Sequence, residues 1–456
     1  MLLCVPEPDT TAAPAADAAP APERPKQAGG AITGLAVVGA SILTQLLSTV
    51  NAVLASRMLG VEGRGQVVLV TSLAMMASQL TLGGGLPNAI TKLLADKGYT
   101  ARDGLGHLLP RLVTISVVPS ALAAGYLLFL ERHSDGGTKY ALAVALALMA
   151  LQTMGLRVLI GSMLGEGTPL LSFAMTNLAP QAVTTLAFVV AFGVGADLDA
   201  VETLALIIGS ALLTSLVRLL ALRKPTHDPT HRLDGHELWD LTKKTHIGSV
   251  GPIDGLSIDR TLVGSLLGNA QLGLYSAAFS LASLTNILGG SLAMVALPRI
   301  AVVQNDPPRE RLVVRGWIVL SAAIIVVAVV GLELIAAPTI RIAFGEEFTG
   351  ATECARWLIA AGGLLSFRRV LIAILQGRGH GGWASWIEVA LTPFVVLGVW
   401  WASHINSLVA AGITMAAVGV ISCLTLWVGA YRSRPGGGHH GDEPTDETAL
   451  ETPVTT

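Results

Sequence analysis

The sequence predicts an all-α polytopic membrane protein: twelve transmembrane helices, arranged as two six-helix parallel repeats around a central cleft. Three observations lead there. The 456-residue chain is poor in charge, with 13% charged residues against about 25% in ordinary soluble domains, and its mean hydropathy is +0.64. Its apolar residues fall into stretches long enough to cross a bilayer. A stretch near the start of the chain also returns 208 residues later.

A span needs about 20 mostly apolar residues. Twelve stretches qualify: 31–56, 67–90, 110–130, 140–163, 169–192, 200–221, 247–267, 271–297, 313–337, 354–376, 382–402 and 405–430. The seventh carries internal charges and is the weakest by hydropathy. Lysine and arginine set the orientation, because cytoplasmic loops collect them. With the N-terminus in the cytoplasm, 18 lie in cytoplasmic segments and 5 outside (Arg57, Arg64, Arg132, Lys139 and Arg341). The expectation is a multi-pass protein of the cell membrane with both termini cytoplasmic. Trp317, Trp357, Trp383, Trp386, Trp400, Trp401 and Trp427 fall near span ends, where amphipathic indole rings favour the interface.

The remaining segments differ in composition. Residues 1–29 and 431–456 read as disordered cytoplasmic tails that cannot bury a core. A polar cytoplasmic linker, 223–245, joins bundles at 30–222 and 246–430, and its HELWDLTKK segment reads as a short surface helix. The net charge of −2 offers no basic excess for nucleic acid, and Cys4, Cys354 and Cys423 lie too far apart to suggest a disulfide framework or metal site. The chain has no G-x-x-x-x-G-K-[ST], HExxH or GxSxG motif. No cofactor, metal or catalytic residue is expected, and the protein is not expected to be an enzyme.

The repeat is VNAVLASRMLGVEGRGQVVLVTSLA (50–74) against IDRTLVGSLLGNAQLGLYSAAFSLA (258–282). Both contain LG-x4-G-x6-SLA: Gly60 matches Gly268, Gly65 matches Gly273, and Ser72-Leu73-Ala74 matches Ser280-Leu281-Ala282. The glycines suit a tight turn between spans. Since six spans separate the copies, both halves enter from the same side, and the repeat is parallel, about an axis along the membrane normal. Two packed six-helix bundles leave a cleft between them, the architecture of an alternating-access carrier.

The segments ASRMLGVEGRGQVVLVTSLA, LGGGLPNAITKLLA, DRTLVGSLLGNAQLGLYSAAFSLA, LPRIA and ILQGRG together resemble the polysaccharide and O-antigen-type oligosaccharide flippases. These belong to the multidrug/oligosaccharidyl-lipid/polysaccharide exporter superfamily. The similarity spans about residues 31–430. Twelve spans fit a polysaccharide flippase or a cation-coupled multidrug antiporter, and the DR-x6-LG-x4-GLY pattern at 259–275 resembles the former. The resemblance implies translocation of a lipid-linked oligosaccharide from the cytoplasmic to the outer leaflet by alternating access. Its implied partners are that substrate, the bilayer, a coupling proton or sodium ion, and polysaccharide-assembly proteins.

Charges inside the spans are the candidate substrate-binding residues, since each costs about 2.5–3.5 kcal/mol at mid-bilayer and must face an interior or water. In span seven, Asp254, Ser257, Thr261 and Ser265 share one helix face, with Arg260 on its flank. Asp259 and Arg260 diverge by about 100° on a helix and cannot simply pair with each other. Span ten carries Arg368 and Arg369, and span eleven Glu388. One reading makes these arginines a cationic wall for a pyrophosphate–sugar headgroup, because the planar guanidinium matches phosphate. The other makes them ion-pair partners, Glu388 with Arg369 or Asp254 with Arg260. Asn51 is a candidate for substrate contact or for a helix–helix hydrogen bond.

Overall fold

The computed structural model describes residues 30–83, 85–97, 100–132, 136–166, 168–221, 235–249, 256–303, 306–378 and 382–432. Among them, all regular structure is helical. In the first half run α1 (Gly30–Ser78), α2 (Leu86–Lys97), α3 (Ala101–Leu130), α4 (Gly136–Gly165), α5 (Pro169–Phe173), α6 (Ala179–Gly193) and α7 (Ala200–Ala221). A connecting helix, α8 (Gly235–Ser249), follows. The second half comprises α9 (Ile258–Leu267), α10 (Asn269–Ala282), α11 (Leu284–Val303), α12 (Pro307–Thr339), α13 (Thr352–Gly377), α14 (Gly382–His404) and α15 (Leu408–Arg432).

Nine of the described stretches are long and apolar enough to cross a membrane, and one of them, Ala36–Thr81, is 46 residues long. It holds most of two of the expected spans, 31–56 and 67–90, joined at Gly60 with φ 65°. Thr114–Leu130 is a shorter apolar helix. The seventh expected span, 247–267, differs from expectation: α8 runs on to Ser249 and α9 starts at Ile258, while 250–255 fall outside the described residues. The expected tails, at 1–29 and 433–456, and the linker residues 223–234 also lie outside them. The HELWDLTKK segment is helical within α8, where Leu238 is buried against α2 and Lys243 stacks 5.1 Å over the Trp239 ring.

Each half is built around one buried helix. In the first half α4 packs against α1, α2, α3 and α7; in the second α13 packs against α10, α11, α12 and α15. Small residues permit the closest approaches: a Cβ on Gly289 would lie 2.6 Å from Ser366 Cα, and one on Gly362 would lie 2.7 Å from Thr285 Oγ1. Such contacts suit helices in lipid, where no hydrophobic force drives them together. The outward surface is strongly apolar. Leu220 and Leu334 are 79% and 77% exposed, which a bilayer would cover and water would not tolerate over so wide an area.

The internal repeat extends to the backbone conformation of its turn. Gly60 (φ 65°, ψ −172°) and Gly268 (φ 89°, ψ 171°) share a positive-φ geometry, which residues with side chains rarely adopt. The turns then pack on each other reciprocally. A Cβ on Gly65 would lie 1.8 Å from Asn269 O, and a Cβ on Gly273 would lie 1.9 Å from Val61 O. Val61 and Asn269 are themselves equivalent under the 208-residue offset, so this is a contact across a pseudo-two-fold axis. Around it, Arg57 donates from Nε to Ala343 O at 2.7 Å and also reaches Ile342 O. Asn269 Nδ2 donates to Glu131 Oε1 at 2.7 Å. The two halves are therefore sealed together on the face that carries these turns.

Gly65→Ala and Gly273→Ala should each open this seal and cost about 1–3 kcal/mol through overpacking. Spin labels at Glu62 and Ala270 should report a longer distance in both variants than in the native protein. Gly316→Ala, where a Cβ meets nothing within 4 Å, should leave the distance unchanged.

Candidate functional site

Below the sealed turns lies a cavity of 560 Å³ between the halves. α1 and α6 build most of its first-half wall, and α9, α10, α11 and α13 its second-half wall. The equivalent positions Asn51 and Asp259 both line it. They stand nine residues before Gly60 and Gly268 respectively, about 13 Å below the turns at 1.5 Å per helical residue.

These two positions have diverged chemically. Asn51 is buried and donates from Nδ2 to Gln181 Oε1 at 2.8 Å and to Gln181 O at 3.2 Å. Its Oδ1 is buried with no partner. Asp259 is also buried, and Tyr275 Oη donates to its Oδ2 at 2.9 Å. The first-half counterpart of Tyr275 is Val67, which has no hydroxyl, so Asn51 turns to α6 instead. Arg260, next to Asp259, points elsewhere, as the 100° step requires. Its Nη2 donates to Ser257 Oγ at 2.7 Å, its guanidinium lies 4.5 Å over the Phe279 ring, and its Nε is buried without a partner.

The same angular step separates Arg368 from Arg369 on α13. Arg369 lines the cavity and donates from Nη1 to Asn286 O at 3.4 Å. Arg368 points the other way and forms a buried ion pair with Glu388 of α14, Nη2 to Oε1 at 2.5 Å. The partner of Glu388 is thus Arg368 rather than Arg369, and neither Arg368 nor Glu388 lines the cavity. Asp254 falls outside the described residues, so its pairing with Arg260 does too. A second buried pair, Arg378 with Glu310, also holds Ala430 O and ties α12, α13 and α15 together.

Two further lining residues are not legible as such in the sequence. Arg64 reads there as a loop residue outside the spans, yet it lines the cavity with its Nε buried and unpartnered. Its place between Gly63 and Gly65, inside the repeat, is the available signal: a helix that starts at Gly60 puts Arg64 in its first turn. Gln181, the partner of Asn51, carries no signal at all. The charged lining residues among those described are Arg64, Arg260 and Arg369 against Asp259. Three guanidinium groups against one carboxylate leave the charged lining with a positive excess.

The Arg368–Glu388 pair should behave as a structural unit. Removing one partner strands a buried charge and typically costs about 3–5 kcal/mol, whereas replacing both can be neutral. Arg368→Met and Glu388→Gln should each lower the thermal midpoint of the purified protein, and the double variant should recover most of the loss.

Comparisons with known proteins extend this picture. The family profile described as "Polysaccharide biosynthesis protein" matches residues 141–353. No curated protein sequence matches the chain. Among solved structures, the chain is similar to an inward-facing multidrug resistance MATE family transporter of the MOP superfamily, with TM-score 0.63, 14% identity, and coverage of 87% of this chain and 98% of that one. It is similar to the MATE multidrug transporter DinF-BH (TM-score 0.59, 15% identity, 91% and 98% covered). It is also similar to a MOP superfamily transporter from Pyrococcus furiosus described as having a binding pocket of reverse polarity that suggests a different function (TM-score 0.56, 15% identity, 87% and 94% covered). At such identities the structures show the fold, two repeats of membrane-spanning helices.

Proposed function

We propose that the protein is a flippase that moves a lipid-linked oligosaccharide from the cytoplasmic to the outer leaflet by alternating access. The observation that carries this reading is the cavity's charge: three arginines line it against one carboxylate, and that carboxylate is hydrogen-bonded to Tyr275. A pyrophosphate linkage is the natural ligand for such a wall, since guanidinium groups bind phosphate oxygens in a planar fork. At 560 Å³ the cavity is of a size that buries small ligands, about 300–1,000 Å³. It accommodates a headgroup while the polyprenyl tail stays in the bilayer. The match of residues 141–353 to a polysaccharide biosynthesis family supports the same substrate class.

The competing reading is a cation-coupled multidrug antiporter. The MATE fold favours it, and Asp259 would serve as its proton or sodium site. Cationic drugs, however, would meet a cavity of their own sign. In the flippase reading the sealed turns face outward and the cavity is reached from the cytoplasm. Both termini are then cytoplasmic, the protein resides in the cell membrane, and its role is transport rather than catalysis. A coupling proton or sodium ion and polysaccharide-assembly proteins are its proposed partners.

Single cysteines at Gly195 and His404 should react with impermeant reagents from outside intact cells, and one at Thr226 only after permeabilisation. External labelling at Thr226 would reverse the orientation.

Deleting the protein should cause a lipid-linked oligosaccharide to accumulate on the cytoplasmic leaflet. Arg64→Lys, Arg260→Lys and Arg369→Lys at matched expression should restore export poorly, roughly ten- to a hundredfold below the native protein, the loss expected for a charged hydrogen bond of about 1.5–3 kcal/mol. Full export by all three, together with drug efflux that depends on Asp259, would favour the antiporter.

A further inference from the structure

The two halves have the same scaffold at the level of Asn51 and Asp259 but different chemistry there. Asn51 lines the cavity, its Nδ2 is engaged by Gln181, and its Oδ1 is buried with no partner. A buried amide oxygen left unsatisfied costs about 1–3 kcal/mol, so it calls for a hydrogen-bond donor from whatever fills the cavity. Thr184, three residues along α6 from Gln181, is buried and lines the same wall. This patch is neutral, made of amides and a hydroxyl. The facing wall presents Arg260 and Arg369, and Arg64, on α1 beyond Gly60, is the third lining arginine.

A phosphate diester has no proton to give Asn51 Oδ1 near neutral pH, and it gains more from a guanidinium than from a neutral amide. A sugar hydroxyl is both donor and acceptor and suits the amide pair. From these placements we infer that the cavity has a distinct carbohydrate subsite on the first-half wall, organised by Asn51 and Gln181, so that a bound headgroup lies across the cleft with its sugar against Asn51 and Gln181 and its phosphates against the lining arginines. This inference rests on the flippase reading and assigns an orientation within it. It also gives the divergence of the repeat a purpose: the Asn51 position reads hydroxyls, and the Asp259–Arg260 position reads charge.

The full-length protein in lipid nanodiscs is titrated with two probes of equal charge, a bare carrier made as polyprenyl pyrophosphate capped as its methyl ester and the same lipid pyrophosphate carrying N-acetylglucosamine. The native protein should bind the sugar-bearing probe ~10-fold more tightly, the gain expected from one or two good hydrogen bonds. Asn51→Leu and Gln181→Met should each bring that ratio close to one while leaving affinity for the bare carrier within about twofold, a retention that also shows the cavity is folded. Arg260→Lys should weaken both probes alike and keep the ratio. If Asn51→Leu does not fold, Gln181→Met decides. A native-like ratio in the folded variants would overturn the carbohydrate subsite and leave the flippase reading intact. If the native protein binds neither probe, the flippase reading fails, and the subsite with it.

Discussion

The backbone of one inter-span turn lies directly on the backbone of the other. Gly65 meets Asn269 and Gly273 meets Val61 at distances that leave no room for a Cβ, and the four positions are two equivalent pairs. In lipid the hydrophobic effect does not press helices together, so close backbone approach has to supply the contact. The rest of the molecule follows from this. The turns close one face of the cleft, the helices diverge below them, and the space between becomes the cavity. Because the contact is reciprocal, each half supplies both a glycine and the backbone that the other half's glycine meets.

Buried charge is divided between two jobs. Arg368 with Glu388 and Arg378 with Glu310 are buried pairs that tie helices of the second half to one another. Neither pair crosses to the first half, so both can travel with a rigid bundle. Arg64, Arg260 and Arg369 instead line the space between the halves. A charge desolvated against the protein and matched by a carboxylate is fixed, whereas a charge at the cleft has space beside it. Arg260 illustrates the second kind. A serine hydroxyl and the face of Phe279 hold it, weaker contacts than a carboxylate would offer.

Repetition and divergence work together at the level of Asn51 and Asp259. The glycines, the positive-φ turn and the helix register are common to both halves, so both side chains arrive at the same depth. One local difference, Tyr275 against Val67, sends them to different partners. A hydroxyl is present to satisfy the acid in the second half, and the amide in the first half reaches across to α6. An approximately symmetric scaffold thereby holds an asymmetric cavity.

The sequence by itself determined the membrane class, the parallel repeat and the turn glycines, because each rests on a local or periodic property. Charge poverty and apolar length do not depend on packing, and a positive-φ turn constrains residue type directly. It also determined that Asp259 and Arg260 could not pair, from the angular step of a helix alone. It did not determine which of Arg368 and Arg369 faces the cleft. In α13 the neighbours of both are apolar except for Ser366, and one serine does not mark a cavity side. Only packing against α14 on one side and α11 on the other separates the two arginines. The same holds for Arg64, whose charge reads as a loop residue until the turn at Gly60 places it on a helix facing the cleft, and for Gln181, whose role exists only through Asn51 on another helix. Tertiary structure decided these because a helix surrounded by lipid and protein is apolar toward both, and only contact tells the two apart.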